Sequence, residues 1–161
     1  MTEQLIIRQT TALNNFEMKQ VLALWNSEYP EKLAYPSLTA FEQYLQKLSH
    51  LTHYIVTTKE NVMLGWALKF ERDNEKWFAI IIAEVIKGRG LGRRMVNELK
   101  KEEEELHGWV IDHNEDKKIN GQDYVSPLSF YEKCGFETLR ANRLELDVIS
   151  AVKIRWSVKK Q

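Results

Sequence analysis

The chain has 161 residues, with 23 Lys plus Arg balanced by 23 Asp plus Glu, and a formal net charge of zero. That length suits one domain over 1–161 with a hydrophobic core, and the charge balance argues against a nucleic-acid binder, which would carry a basic excess. A single cysteine, Cys134, excludes an internal disulfide and a multi-thiolate metal site.

The opening Met1-Thr2-Glu3-Gln4 has no basic segment leading into an apolar run, so no signal peptide is expected. The most apolar stretch, residues 77–83, is too short to span a bilayer. The expectation is a cytoplasmic protein with no membrane partner.

Leu5-Ile6-Ile7-Arg8 reads as a first strand. Asn14 followed by Glu17 starts a helix, with Phe16, Val21, Leu22, Trp25 and Tyr29 at helical spacing and Pro30 as its stop. Pro36-Ser37 opens a second helix, with Leu38, Phe41, Tyr44, Leu45 and Leu48 on one face. Strands follow at 52–58, at 62–71 and from Asp73-Asn74 to Ile82 or Ala83, joined by polar turns. The next helix is expected from Leu91 to Leu106, ended by His107-Gly108, with residues 100–105 as its wet face. Trp109-Val110-Ile111-Asp112 reads as a buried strand. Residues 113–125 form the only long loop, a type of segment that is commonly functional. Ser126-Pro127 starts a short helix to Cys134, stopped by Gly135, and strand-like segments at 136–140, 144–148 and 152–156 finish the chain.

The order β-α-α-β-β-β-α-β-α-β-β describes an α+β fold. Its three consecutive strands form an antiparallel meander, and the later strand-helix-strand units allow parallel pairing in one mixed sheet.

The hub of the pattern is Lys87-Gly88-Arg89-Gly90-Leu91-Gly92-Arg93-Arg94, a glycine-rich turn between a strand and a helix. Glycine lets a ligand approach the backbone. The first helical turn offers unpaired N–H groups and the positive end of the dipole, so the turn suits a phosphate. No Gly-Lys-Ser/Thr occurs, and the even spacing of Gly88, Gly90 and Gly92 misses the dinucleotide fingerprint.

The segment resembles the [QR]-x-x-G-x-[GA] signature of the GNAT superfamily of acyl-CoA N-acyltransferases, with Gly90 and Gly92 at the small positions and Lys87 where Gln or Arg is usual. About forty residues on, Phe130-Tyr131-Glu132-Lys133-Cys134-Gly135-Phe136 is similar to a second motif of that family. The resemblance covers essentially the whole chain and implies a GNAT-like fold, a splayed, mostly antiparallel mixed sheet flanked by helices. It also implies an N-acetyltransferase in which a primary amine of a small molecule or amino acid attacks acetyl-CoA directly, with no metal. A homodimer is compatible with it.

Position by position, Tyr131 matches the family's general acid. Lys87, Gly88, Arg89, Gly90, Leu91, Gly92 and Arg93 match the diphosphate cradle, and Ile82, Ala83 and Glu84 match the strand end beside the pantetheine arm. The Asn often found seven residues before the tyrosine is replaced by Tyr124, leaving Asn114, Asn120 or the hydroxyl of Ser126 to stand in for it, although Ser126 also suits a helix cap. No motif fixes the general base; Glu84, His113, Asp112, Glu28 or a chain of waters are the alternatives.

The resemblance places the acceptor among Trp25, Glu28, Tyr29, Tyr35, Trp66 and Trp77, aromatic walls that suit an amine with an apolar or planar part. His50-x-x-His53 lacks a third metal ligand, and Cys134 before a helix-stop glycine reads as a core residue. A catalytically silent acyl-CoA-binding module and a protein N-acetyltransferase are the alternative functions.

Overall fold

A computed structural model describes residues 4–158 of the protein. The signal-peptide reading of Met1 to Glu3 lies outside them. The expected element order is present: β1 (Ile6–Thr10), α1 (Asn15–Glu28), α2 (Leu38–Gln46), β2 (Ser49–Thr57), β3 (Met63–Arg72), β4 (Glu75–Ile82), α3 (Leu91–Lys100), β5 (Glu105–Val110), α4 (Leu128–Lys133), β6 (Glu137–Leu146) and β7 (Ile149–Ser157). Short 3-10 turns occupy Glu31–Leu33 and Glu84–Ile86.

Local chemistry accounts for the helix starts. The Asn14 carboxamide accepts from the Glu17 N–H at 2.8 Å while the Glu17 carboxylate accepts from the Asn14 N–H at 3.0 Å, a reciprocal capping box. The Ser37 hydroxyl caps α2 through the Ala40 N–H at 3.1 Å. Asp73 and Asn74 take left-handed φ values of 54° and 60°, the geometry that turns β3 tightly into β4.

Two expected boundaries differ. The third helix stops at Lys100 rather than Leu106, and His107-Gly108 lies inside β5 instead of ending a helix. Glu102 turns left-handed at φ 64°, so the charged run is helix end, turn and strand start in succession. Leu106, fully buried, and His107 are committed to the sheet opposite Trp156 and Arg155 of β7. At the C-terminus, the segments expected at 136–140 and 144–148 fuse into β6, whose register slips between Leu139 and Arg143.

The seven strands form one sheet in the order β1-β2-β3-β4-β5-β7-β6. Every pairing is antiparallel except β4 with β5, which is parallel and holds at one register position, Trp77 opposite His107. Beyond that point the two halves of the sheet part.

Strand alternation assigns the faces. Even positions of β3 meet α1 and α2, with the Trp66 ring 6.3 Å from Trp25 and 6.1 Å from Phe41. Odd positions meet α3, where a Cβ on Gly65 would stand 3.4 Å from the Met95 sulfur. Val21, Phe41, Trp66, Leu68, Met95 and Leu99 are almost fully buried between these layers.

Candidate active site

The gap between β4 and β5 opens into two clefts. The first, of about 430 Å³, lies among α1, α2, the β3–β4 hairpin and the β6–β7 hairpin. The second, of about 530 Å³, runs along the end of β4 to the glycine-rich turn. Both are lined by Tyr29, Ile80, Tyr124, Pro127 and Tyr131, which therefore form the waist where they meet.

The glycine turn is shaped for close approach. Gly90 caps α3 with φ 83°, and no side chain caps that helix start, whose first turn carries no acidic residue. The N–H groups of the turn thus keep their positive potential. Gly92 packs closely against Phe130 and Ile82, since a Cβ there would come within 2.9 Å of Phe130 Cζ and 3.3 Å of Ile82 Cδ1. Lys87, Gly88, Gly90, Leu91, Gly92, Arg93 and Ile82 line the second cleft; Ala83, Glu84 and Arg89 flank it without lining it.

Tyr131 is buried within α4 and packs edge-on against Phe78, Phe130 and Phe136. Its hydroxyl has no hydrogen-bond partner among the described residues. Burial, then the neighbouring Tyr124 and Cys134, raise its pKa far above the usual phenol value, so it stays protonated. Burial raises Tyr29 and Tyr124 as well, and their hydroxyls are likewise unpartnered among the described residues. The waist is a ring of neutral phenols.

Residues 113–125 form the roof and are tied down. The Lys118 ammonium, 5% exposed, lies 3.3 Å from carboxylate oxygens of both Glu28 and Glu84. Lys32 pairs with the buried Asp116 at 3.1 Å, and the Glu31 N–H donates to the Lys117 carbonyl at 2.8 Å. The Tyr124 N–H donates to the Asp116 carbonyl, which fixes the tyrosine over the waist.

The base candidates do not converge there. Glu84 is largely exposed, and Lys87 followed by Lys118 holds its carboxyl below the usual range. Asp112 is gripped by both terminal nitrogens of Arg143, at 2.9 and 3.0 Å, which lowers its carboxyl too. His113 accepts the Glu115 N–H on Nδ1, with Nε2 3.9 Å from Asp116. Of the four, only Glu28 lines a cleft, and it is occupied by the Glu84 N–H and by Lys118.

Asn114 accepts the Ser126 N–H at 2.7 Å, while the Ser126 hydroxyl donates to the Ile111 carbonyl and accepts from the Leu128 N–H. Both close the loop onto α4, and Ser126 also reaches the second cleft. Asn120 accepts the Gln122 N–H within the loop. Trp25, Tyr29, Tyr35 and Trp77 line the first cleft, whereas Trp66 is fully buried, donates to His53 Nδ1 at 3.1 Å and lines neither. Sequence reasoning missed Arg72, Ile80 and Pro127, for which no motif existed. Tyr124 drew notice only as a departure, although its spacing from Tyr131 marked the position.

His50 pairs with Glu71 on the surface while His53 is buried against Trp66, so that pair forms no metal site. Glu75, Glu105 and His107 do gather within 4.8 Å of one another, but Lys153 and Arg155 already compensate the two carboxylates.

The sequence pattern of the acetyltransferase (GNAT) domain matches residues 50–138. The fold is similar to that of a candidate phosphinothricin N-acetyltransferase, with a TM-score of 0.72 at 16% identity, over 98% of this chain and 100% of the other. It is also similar to a spermidine N-acetyltransferase chimera from Vibrio cholerae SpeG and hSSAT, with a TM-score of 0.65 at 20% identity over 96% and 95%. A third likeness is to a candidate acetyltransferase from Acinetobacter baylyi, with a TM-score of 0.69 at 13% identity over 98% and 96%. No curated protein matches the sequence. At these identities the structural likeness speaks for the fold alone, whereas the domain match covers more than half of the sequence: the chain belongs to the GNAT acetyltransferase family.

Proposed function

We propose that the protein is an N-acetyltransferase that moves the acetyl group of acetyl-CoA to a primary amine of a small molecule, by direct attack with both substrates bound. The observation that carries this reading is the junction of two clefts at a waist of unpartnered phenols. A ternary complex needs two approaches to one point, and alignment there removes the entropic cost of the encounter.

The residues fit acetyl-CoA, which supplies an activated thioester. The N–H groups from Gly88 to Arg93 face the diphosphate, with Lys87, Arg89 and Arg93 adding positive potential. The end of β4 at Ile82 and Ala83, unpaired on its β5 side, offers main-chain groups to the pantetheine arm. Tyr131 is the general acid, its hydroxyl giving a proton to the departing thiolate and regaining, through cleft water, the proton that the acylated nitrogen sheds.

Among the described residues the waist holds no carboxylate or imidazole, so the amine's proton leaves to water rather than to Glu84 or His113. Apolar walls favour this, because desolvation lowers the pKa of an ammonium and enlarges its neutral, nucleophilic fraction. A roof secured by Lys118 over an aromatic cleft suits a small molecule better than a protein segment. We place the reaction in the cytoplasm; no helix of the described residues is long and apolar enough to cross a membrane.

The test is CoA thiol release with a panel of primary amines, beside calorimetry with acetyl-CoA. Amine-dependent release is expected. Binding without release for any amine would leave only the silent acyl-CoA module, and no binding would end both readings.

A further inference from the structure

We infer that the acceptor is a bifunctional amine whose far end carries an anion, held by Arg72 at the opposite end of the first cleft from the waist. This rests on the transferase reading and specifies its acceptor.

Among the described residues that line the first cleft, Arg72 alone is charged in neutral solution, and none is Asp, Glu, Lys or His. Arg72 ends β3 on the α1–α2 face, and its guanidinium lies 5.0 Å from the Phe70 ring centre and 5.4 Å from that of Trp77. Stacked there, it has no ion-pair or hydrogen-bond partner among the described residues. Glu75, directly opposite in the β3–β4 register, is engaged instead by Lys153 at 3.2 Å and His107 at 3.4 Å. The indole N–H of Trp77 is buried and also unpartnered. The Arg72 guanidinium offers donors in a planar fork beside the Tyr44 phenol, whose pKa burial raises and this charge lowers, and such a fork suits a carboxylate or a phosphinate-like oxyanion.

Aromatic walls also attract cations. A polycation, however, would carry its second ammonium toward Arg72 with no carboxylate in the cleft to receive it. An apolar or planar body bearing one amine and one anion meets every feature of the lining.

Geometry sets the spacing of the two groups. Trp77, under Arg72, and Ile80, at the waist, are three residues apart on β4, or about 10 Å of strand. An amine at the waist and an anion at Arg72 must be several ångströms apart, so an α-amino acid that joins them through one carbon does not satisfy both ends.

The experiment uses the full chain with para-(aminomethyl)benzoate against para-methylbenzylamine, ε-aminocaproate against hexylamine, and phenylalanine and spermidine as further arms. Binding is read from tryptophan fluorescence, since Trp25, Trp77 and Trp109 line the cleft, and turnover from CoA thiol release. Each amino acid is expected to bind about tenfold tighter than the amine that lacks its carboxylate. Arg72→Gln should reduce that advantage to about one, while Arg72→Lys, which keeps the charge, should retain part of it and shows that the fold tolerates change there. Equal binding of an acid and the amine lacking its carboxylate, or tighter binding of spermidine or phenylalanine than of para-(aminomethyl)benzoate, overturns the inference. A preserved acid preference without thiol release from any amine counts against the transferase reading alone.

Discussion

Replacing Tyr131 with Phe separates chemistry from packing with unusual clarity. The substitution removes one oxygen from a buried ring whose edge-on contacts with Phe78, Phe130 and Phe136 survive unchanged. Because that hydroxyl has no hydrogen-bond partner among the described residues, its deletion breaks no bond, and thermal stability should stay within about 0.5 kcal/mol of the parent. A core tyrosine with a satisfied hydroxyl would instead lose about 1 kcal/mol. If the phenol protonates the leaving thiolate, kcat should fall by about 10²–10⁴, equivalent to roughly 3–5 kcal/mol of barrier. Acetyl-CoA affinity should barely move, since the cradle is elsewhere. The assay pairs saturating thiol-release kinetics and acetyl-CoA calorimetry with a thermal melt of the same preparation. A folded Tyr131→Phe protein with kcat within twofold of the parent would remove the phenol from the mechanism.

Three further outcomes follow from the geometry. Gly92→Ala should weaken acetyl-CoA binding by tenfold or more in calorimetry, because the new methyl group pushes Phe130 and Ile82 into the cleft; overpacking of about 1–3 kcal/mol should outweigh the roughly 1 kcal/mol gained in helix propensity. Lys118→Met leaves Glu28 with the Glu84 N–H and the more distant Lys87 at 3.8 Å, and should cost about 1–3 kcal/mol in a denaturant melt while accelerating amide exchange across residues 113–125. His53, whose pKa burial depresses to about 4, stays neutral in the folded chain, while the unfolded chain takes up the proton near pH 6.5. Stability should therefore decline as pH falls from about 6.5 and level off below about 4, and His53→Gln should flatten that part of a melting-temperature profile.

The sequence carried the local grammar of the fold well. Asn14 with Glu17, Ser37, Asp73-Asn74 and the glycine turn each write their geometry into neighbouring residues, so their elements appear where their chemistry puts them. The long third helix misled because Leu106 continues a helical apolar spacing. What claims that residue is pairing with Trp156, fifty positions downstream, which no local pattern contains. The acceptor wall was hidden for a related reason. Trp25, Trp66 and Trp77 look alike along the chain, and only the sheet assigns Trp66 to the interior and the others to a cleft. Arg72 carried no signal either, because a strand-end arginine becomes distinctive only when the carboxylate opposite it is already engaged by Lys153 and His107.

Parallel strands whose backbones pair only at Trp77 and His107 among the described residues leave a fissure made by backbone direction rather than by any particular side chain. Its two tenants are consequently recognised in different alphabets. One meets amides and carbonyls, which every sequence provides; the other meets side chains, which can be exchanged singly. Substitution around the acceptor can thus retool what is modified while leaving the donor's berth intact. On the transferase reading, Arg72, at the edge of a two-residue hairpin, is the kind of position where one codon redirects the reaction to a different amine.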